Sequence, residues 1–195
     1  MKKNGQGWQH TTYDLGNGRV YKKFNSRTKR FLTIFKDLFF SNDKSKWKIF
    51  DYVIWMEKVA KQSFDIYKNL DLDKKYFANA EIKDGLNYEQ DKLIPLGDYF
   101  KTHTEEEGRF VIDEFVDFNK FLISENICDK SFNITKNFGI YEDGTIALID
   151  IGELYIGDMV KRQINLKIWQ KHYVLNFLPL NLQSYFLEKM EEIVY

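Results

Sequence analysis

The chain has 195 residues, 44% hydrophobic and 17% aromatic, enough for one packed domain or two small lobes around a cleft. Its 29 basic and 29 acidic residues cancel, so no global field draws it to nucleic acid or to an anionic membrane. A single cysteine, Cys128, excludes an internal disulfide and fits a reducing compartment. Met1 to Gly7 is basic but lacks the apolar core of a signal peptide. The apolar run from Phe31 to Phe40 is broken by Lys36 and Asp37 and is too short to span a bilayer. The expectation is a cytoplasmic protein with no membrane and no nucleic-acid partner.

Taken in order, residues 5–24 read as strands and turns. Gly5-Gln6-Gly7 opens the chain, Thr11 to Leu15 favours a strand, Gly16-Asn17-Gly18 is a turn, and Arg19 to Phe24 is a second strand. Residues 26–40 carry Arg27, Lys29, Arg30 and Lys36, balanced by nearby acids, and read as a solvated helix face and loop. Residues 45–68 form a long helix, with Phe50, Val53, Ala60, Phe64 and Tyr67 at steps of three and four. Glu57 falls on that apolar stripe, where a carboxylate is costly unless paired. Tyr76 to Ile82 reads as a strand closed by a Lys83-Asp84-Gly85 turn, with Leu86 to Leu93 following. Glu105 to Ser124 is a helix with an acidic first turn that suits the positive end of its dipole. Two helices fill the tail, one after Asp158 as N-cap, and one after Pro179 with Leu182, Phe186, Met190 and Ile193 on one face.

The most informative stretch is Asn137 to Glu153, N-F-G-I-Y-E-D-G-T-I-A-L-I-D-I-G-E. Asp143-Gly144 is a hairpin signal, with Phe138 to Tyr141 and Thr145 to Ile149 as the arms and both central turn residues expected at positive φ. Asn137 precedes the first arm and Asp150 follows the second, so the hairpin's open end sets an amide oxygen beside a carboxylate. Two such oxygens make a hard-cation site of the Mg²⁺ type, which takes its other ligands from water and phosphate.

Asn137, the hairpin and L-I-D-I-G at this separation resemble the metal-binding half of the protein-kinase-like superfamily, in particular small bacterial kinase-like proteins of the aminoglycoside-phosphotransferase type. The resemblance implies a two-lobed α+β fold. Residues 1–95 would be an N-lobe of antiparallel sheet plus long helix, and residues 96–195 a reduced, mostly helical C-lobe carrying the metal-binding hairpin. It also implies ATP and Mg²⁺ as cofactors, with Asn137 and Asp150 on the metal. Gly5 and Gly7 would lie in the phosphate-covering loop, although G-Q-G-W lacks a third glycine. V-Y-K-K-F would be the strand whose lysine meets the phosphates. Lys22 and Lys23 compete for that role, and Lys22 is favoured because it shares a face with Val20, the residue expected against adenine. Glu57 would be the partner of Lys22.

The catalytic loop departs from the pattern. Five residues before Asn137, where the family has its catalytic Asp, stands Phe132, which accepts no proton. Asp129 is the nearest carboxylate and serves as base only if the loop takes another path. The expected function is an ATP/Mg-binding phosphotransferase acting on a protein or small-molecule hydroxyl, with nucleotidyl transfer on the same scaffold a further possibility. The alternative is a catalytically impaired pseudokinase acting as a binding or regulatory module. A third reading is an α+β protein whose hairpin only resembles the motif, with Lys22 and Glu57 apart and Asp150 a turn residue. Glu153, just after D-I-G, is placed to help orient the site, with no physical role assigned to it.

Overall fold

In the computed structural model, which describes residues 1–39 and 49–195, the first strands run as the alternation requires. β1 (Lys2–Gln6), β2 (His10–Asp14) and β3 (Arg19–Phe24) form an antiparallel meander. The Gly16-Asn17-Gly18 turn between β2 and β3 places both glycines at positive φ, 80° and 76°, which side chains rarely adopt. β4 (Glu81–Asp84) and β5 (Asn87–Asp91) complete a five-stranded sheet of order β1-β2-β3-β5-β4, with Lys22 opposite Tyr88.

Between β3 and β4 lie α1 (Arg27–Phe39) and α2 (Ile49–Lys68), joined by a small cluster of Ile34, Ile49, Val53 and Met56. Residues 45–48 of the expected helix lie outside the described residues. Val53, Ala60, Phe64 and Tyr67 are buried as expected, but Phe50 is 60% exposed, so the stripe runs through Ile49 and Val53 instead. The expectation of a solvated basic face on α1 also needs correcting, because Arg30 is only 1% exposed.

The expected strand at Tyr76 to Ile82 begins only at Glu81. Lys74–Phe77 is a 3-10 turn whose Asp73 cap accepts from Lys75 N at 2.9 Å, and Ala78 and Asn79 follow at φ 52° and 48°. That local hydrogen bonding outweighs the strand preference of Tyr76 and Phe77.

The remainder is mostly helical. β6 (Ile94–Pro95) leads into α3 (Leu96–Thr102), and α4 (Glu105–Ser124) starts at the capping box of Thr104 and Glu107. β7 (Ile127–Asp129) is followed by the short α5 (Ile134–Asn137) and the hairpin strands β8 (Phe138–Ile140) and β9 (Ile146–Leu148). β10 (Leu154–Ile156) pairs with β7, and α6 (Asp158–Asn165), α7 (His172–Leu175) and α8 (Leu180–Met190) close the chain. Asp158 is the first residue of α6, with Gly157 at the cap position.

α8 lies on α4 so closely that a Cβ at Gly108 would meet Leu182 Cδ1 at 2.7 Å. The hairpin turn has only Gly144 at positive φ, 86°, with Tyr141 N bonded to Thr145 O at 2.9 Å. It is a wider turn than the two-residue type expected, with Asp143 Oδ1 accepting from Thr145 N at 3.0 Å. Among the described residues no helix is long and apolar enough to cross a membrane.

Candidate functional site

The segment Ile149 to Glu153, leaving the hairpin, is where distant parts of the chain meet. Ile149 N donates to Asn137 O at 2.7 Å, which closes the hairpin's open end and brings Asn137 beside Asp150 along the backbone. Lys22 Nζ, from β3, donates to Ile149 O, and lies 5.5 Å from the centre of the Tyr88 ring. Strand alternation turns Lys22 and buried Val20 inward and leaves Lys23 exposed. Burial lowers the pKa of Lys22, and the Asp150 carboxylate opposes that shift. Asp150 caps the following 3-10 turn, its Oδ1 accepting from Gly152 N at 3.0 Å. α2 anchors the same turn through Ser63, whose hydroxyl donates to Ile151 O at 2.6 Å.

The segment before Asn137 takes a path that residue counting does not foresee. Phe132 sits at φ 49°, fully buried, with its ring 5.6 Å from that of Trp169 and nearly perpendicular to it. This left-handed kink folds the loop back, so that Asp129, eight residues before Asn137, reaches it. Asn137 Nδ2 donates to Asp129 Oδ1 at 2.8 Å. Asp129 Oδ2 accepts from Ser131 N at 3.0 Å, Ser131 Oγ at 2.9 Å and Asn133 N at 3.3 Å. Burial raises the Asp129 pKa, while the hydrogen bonds from Asn137 and Ser131 pull it down. Since the Asn137 nitrogen is taken up by Asp129 and Ser131, its oxygen is the atom left to face a ligand.

Glu57 does not join this group. Its carboxylate is bound by Arg30 at 2.8 Å, Arg27 at 2.9 Å and Lys61 at 3.2 Å, all of α1 and α2. The expected Lys22–Glu57 pair is absent because α2 turns Glu57 toward α1, where a buried Arg30 needs a counter-charge. Gly5 lies within β1 at the edge of the sheet, opposite Thr12, and neither it nor Gly7 takes positive φ. Gly7 N donates to His10 O at 2.8 Å, making a tight β1–β2 turn that Asn25 Nδ2 holds through Gly7 O and Trp8 O.

Four residues absent from the sequence reading of the site, or without a role in it, belong to it. Gln9 and His10 descend from the β1–β2 turn, Lys130 follows Asp129, and Glu153 ends the D-I-G-E segment. Gln9 Nε2 donates to Glu153 Oε1 at 3.0 Å. Lys130 Nζ stands 3.6 Å from the same carboxyl, and its N donates to Glu153 O at 2.8 Å. Burial pushes the Glu153 pKa up to about 7, against the pull of Lys130. No local pattern marks Gln9 or His10, since Gln9 bonds a residue 144 positions away and His10 one 76 positions away.

His10 is enclosed by Phe24, Phe64 and Tyr88, and its Nε2–H donates to Leu86 O at 3.0 Å. Burial lowers its pKa from 6.5 to about 4, with Asp150 opposing. Between those values the unfolded chain binds a proton that the folded chain refuses. Stability from this group is therefore complete above pH 6.5 and is lost as pH falls toward 4. The loss is about 3 kcal/mol at 1.36 kcal/mol per unit. Urea unfolding from pH 7 to 4 is expected to show a fall in wild type that is smaller by that amount in His10→Gln.

Among the described residues no group of three or more His, Cys, Asp or Glu could hold a metal ion by itself, so a cation here would need ligands beyond Asn137 and Asp150. No family model matches the chain, and no curated protein matches it. A solved structure that does match is the complex of Rv3197 with erythromycin from Mycobacterium tuberculosis, at 14% identity and a TM-score of 0.47. The match covers 98% of this chain and 53% of that one, so the chain spans about half the length of that protein.

Proposed function

We propose that the chain is a two-lobed, protein-kinase-like protein that binds ATP with Mg²⁺ and transfers its γ-phosphoryl group to a protein or small-molecule hydroxyl. The observation that carries this reading is the convergence of Lys22, Asn137 and Asp129 on the backbone beside Asp150. Lys22 bonds Ile149 O, Asn137 O accepts from Ile149 N, and Asn137 Nδ2 bonds Asp129. Lys22 reaches this hairpin from a strand 127 residues away, which supports the reading over a chance match of the motif.

The donor set fits the proposed group. The amide oxygen of Asn137 and the second carboxylate oxygen of Asp150 are hard oxygen donors of the kind Mg²⁺ takes while keeping water and phosphate ligands. Lys22 would pair with phosphate oxygens, and Val20 would lie against the base. Mg–ATP, when bound, supplies the phosphoryl group and neutralises the charge on it. Asp129 orients Asn137. Its Oδ1, which carries one hydrogen bond against three on Oδ2, is the oxygen that would take the proton of an acceptor hydroxyl.

A second reading, a nucleotide-binding module without turnover, is favoured by one observation. Asp129 is 0% exposed, so an acceptor hydroxyl has no open approach to it.

Thermal and chemical stability with ATP, with and without Mg²⁺, tests the binding step. Wild type is expected to gain about 2.7 kcal/mol at a hundred times the dissociation constant. Asp150→Ala is expected to gain nothing. Absence of any Mg²⁺-dependent gain, in wild type and in variants of the lining residue Gln9 alike, would overturn the proposal. Where binding is found, phosphate transfer to candidate acceptors separates the two readings, and product mass distinguishes phosphoryl from nucleotidyl transfer.

A further inference from the structure

Gln9 lies on a turn between two strands near the N-terminus, yet it is only 5% exposed. Its side chain runs down onto Gly152. A Cβ built at Gly152 would stand 2.5 Å from Gln9 Oε1, 3.1 Å from Asp150 Oδ1 and 3.5 Å from His10 Cε1. Gln9, His10 and Asp150 therefore crowd one small space, and the missing side chain of Gly152 makes room for it.

Two acceptors in that space have no donor. Gln9 Oε1 is buried without a hydrogen-bond partner, and so is His10 Nδ1, whose ring proton is committed through Nε2 to Leu86 O. Buried acceptors left unpaired cost free energy, so the arrangement is held from elsewhere. Glu153 is what holds it, accepting from Gln9 Nε2 at 3.0 Å while Lys130 steadies the same carboxyl. The main chain of the turn is anchored separately, with Gln9 O accepting from Asn25 N at 2.8 Å. The side chain can thus leave without the turn unfolding.

We propose that Gln9 is a built-in occupant of the site, latched to Glu153 beside Asp150, and that its side chain swings out when nucleotide phosphate and its cation enter. This rests on the nucleotide reading above. It gives Glu153 a positioning role, holding the site closed in the absence of ligand. It also accounts for the unpaired Gln9 Oε1, which reaches solvent once Gln9 withdraws.

The test is the dissociation constant of Mg–ATP, measured by titration calorimetry on the full chain, for wild type, Gln9→Ala, Gln9→Asn and Asp150→Ala. Asparagine keeps the amide but is too short to reach Glu153, so it reports on the latch if the alanine variant folds poorly. Losing one hydrogen bond to a charged acceptor corresponds to an affinity gain of about tenfold in both Gln9 variants. Amide exchange in residues 7–10 is expected to rise in the same variants. Binding by a Gln9 variant where wild type binds nothing would support the latch most directly. Equal or weaker binding by both Gln9 variants, with wild-type binding lost in Asp150→Ala, would overturn the latch and leave the nucleotide reading intact. No binding by wild type or either Gln9 variant would overturn the nucleotide reading and the latch with it.

Discussion

Glu57→Ala is expected to lower the free energy of unfolding by about 3–5 kcal/mol, the cost of breaking a buried ion pair from one side. It is expected to leave the Mg–ATP dissociation constant within twofold of wild type, on the order of 0.4 kcal/mol. The stability loss comes from Arg30. Its side chain is 1% exposed, its Nη1 donates to Asn25 O at 2.7 Å, and its guanidinium lies 4.4 Å from the centre of the Phe24 ring. Glu57 is the carboxylate that faces it, and without Glu57 a buried cation is left uncompensated.

The hydrogen bonds from Arg27, Lys61 and Arg30 hold the Glu57 carboxyl down at about 2, against an ordinary 4.5. Its stabilising contribution is therefore present above pH 4.5 and lost as pH falls toward 2. Equilibrium urea unfolding at pH 7 and pH 3 measures both points. A weakened Mg–ATP affinity with little loss of stability would mean that Glu57 serves Lys22 after all.

Phe132→Ala is expected to cost about 3–5 kcal/mol, the range for truncating a buried aromatic ring. Phe132 is 0% exposed and packs edge-on against Trp169, itself 1% exposed. The same ring fixes the kink that returns Asp129 to Asn137, so the variant should also lose Mg²⁺-dependent nucleotide stabilisation. Phe132→Asp is the sharper variant, because it puts a carboxylate five residues before Asn137. The structure sets that position inside the core, so the outcome expected is an unpaired buried carboxylate and a protein unfolded or nearly so at 37 °C. Circular dichroism and a phosphotransfer assay on the pair decide it. A folded Phe132→Asp with transfer above wild type would show that position 132 can reach the phosphates.

Much of the fold was legible because its signals are local. Alternation placed β2 and β3, the Gly16-Asn17-Gly18 turn joined them, and the acidic first turn of α4 marked its start within the residues that form it. That Lys22 turns inward rather than Lys23 followed from the two-residue period of a strand, since Val20 had to share its face. The proximity of Asn137 and Asp150 was legible for a related reason. A hairpin fixes the proximity of its own ends, and the structure ties them through Ile149 N and Asn137 O at 2.7 Å.

Where local preference met a competing local bond it gave way, as at Tyr76 and Phe77, held in a 3-10 turn by the Asp73 cap. α3 also went unforeseen. It is a seven-residue helix whose place depends on Gly97, where a Cβ would stand 2.6 Å from Thr135 O.

What the sequence by itself determined were the elements whose residues bond to their near neighbours: the meander, the hairpin and the inward lysine. The tertiary structure decided the partners. Glu57 went to Arg30 because α1 and α2 pack together, and helical period says which residues share a stripe but not which helix faces it. Asp129 reached Asn137 because one left-handed residue, Phe132, is pinned by a tryptophan 37 positions away in the tail. Gln9 met Glu153 across 144 residues of chain, a contact that exists only once the sheet and the hairpin have docked. Hydrogen bonds and ion pairs act over a few ångströms in space, and sequence spacing reports that distance only within one element.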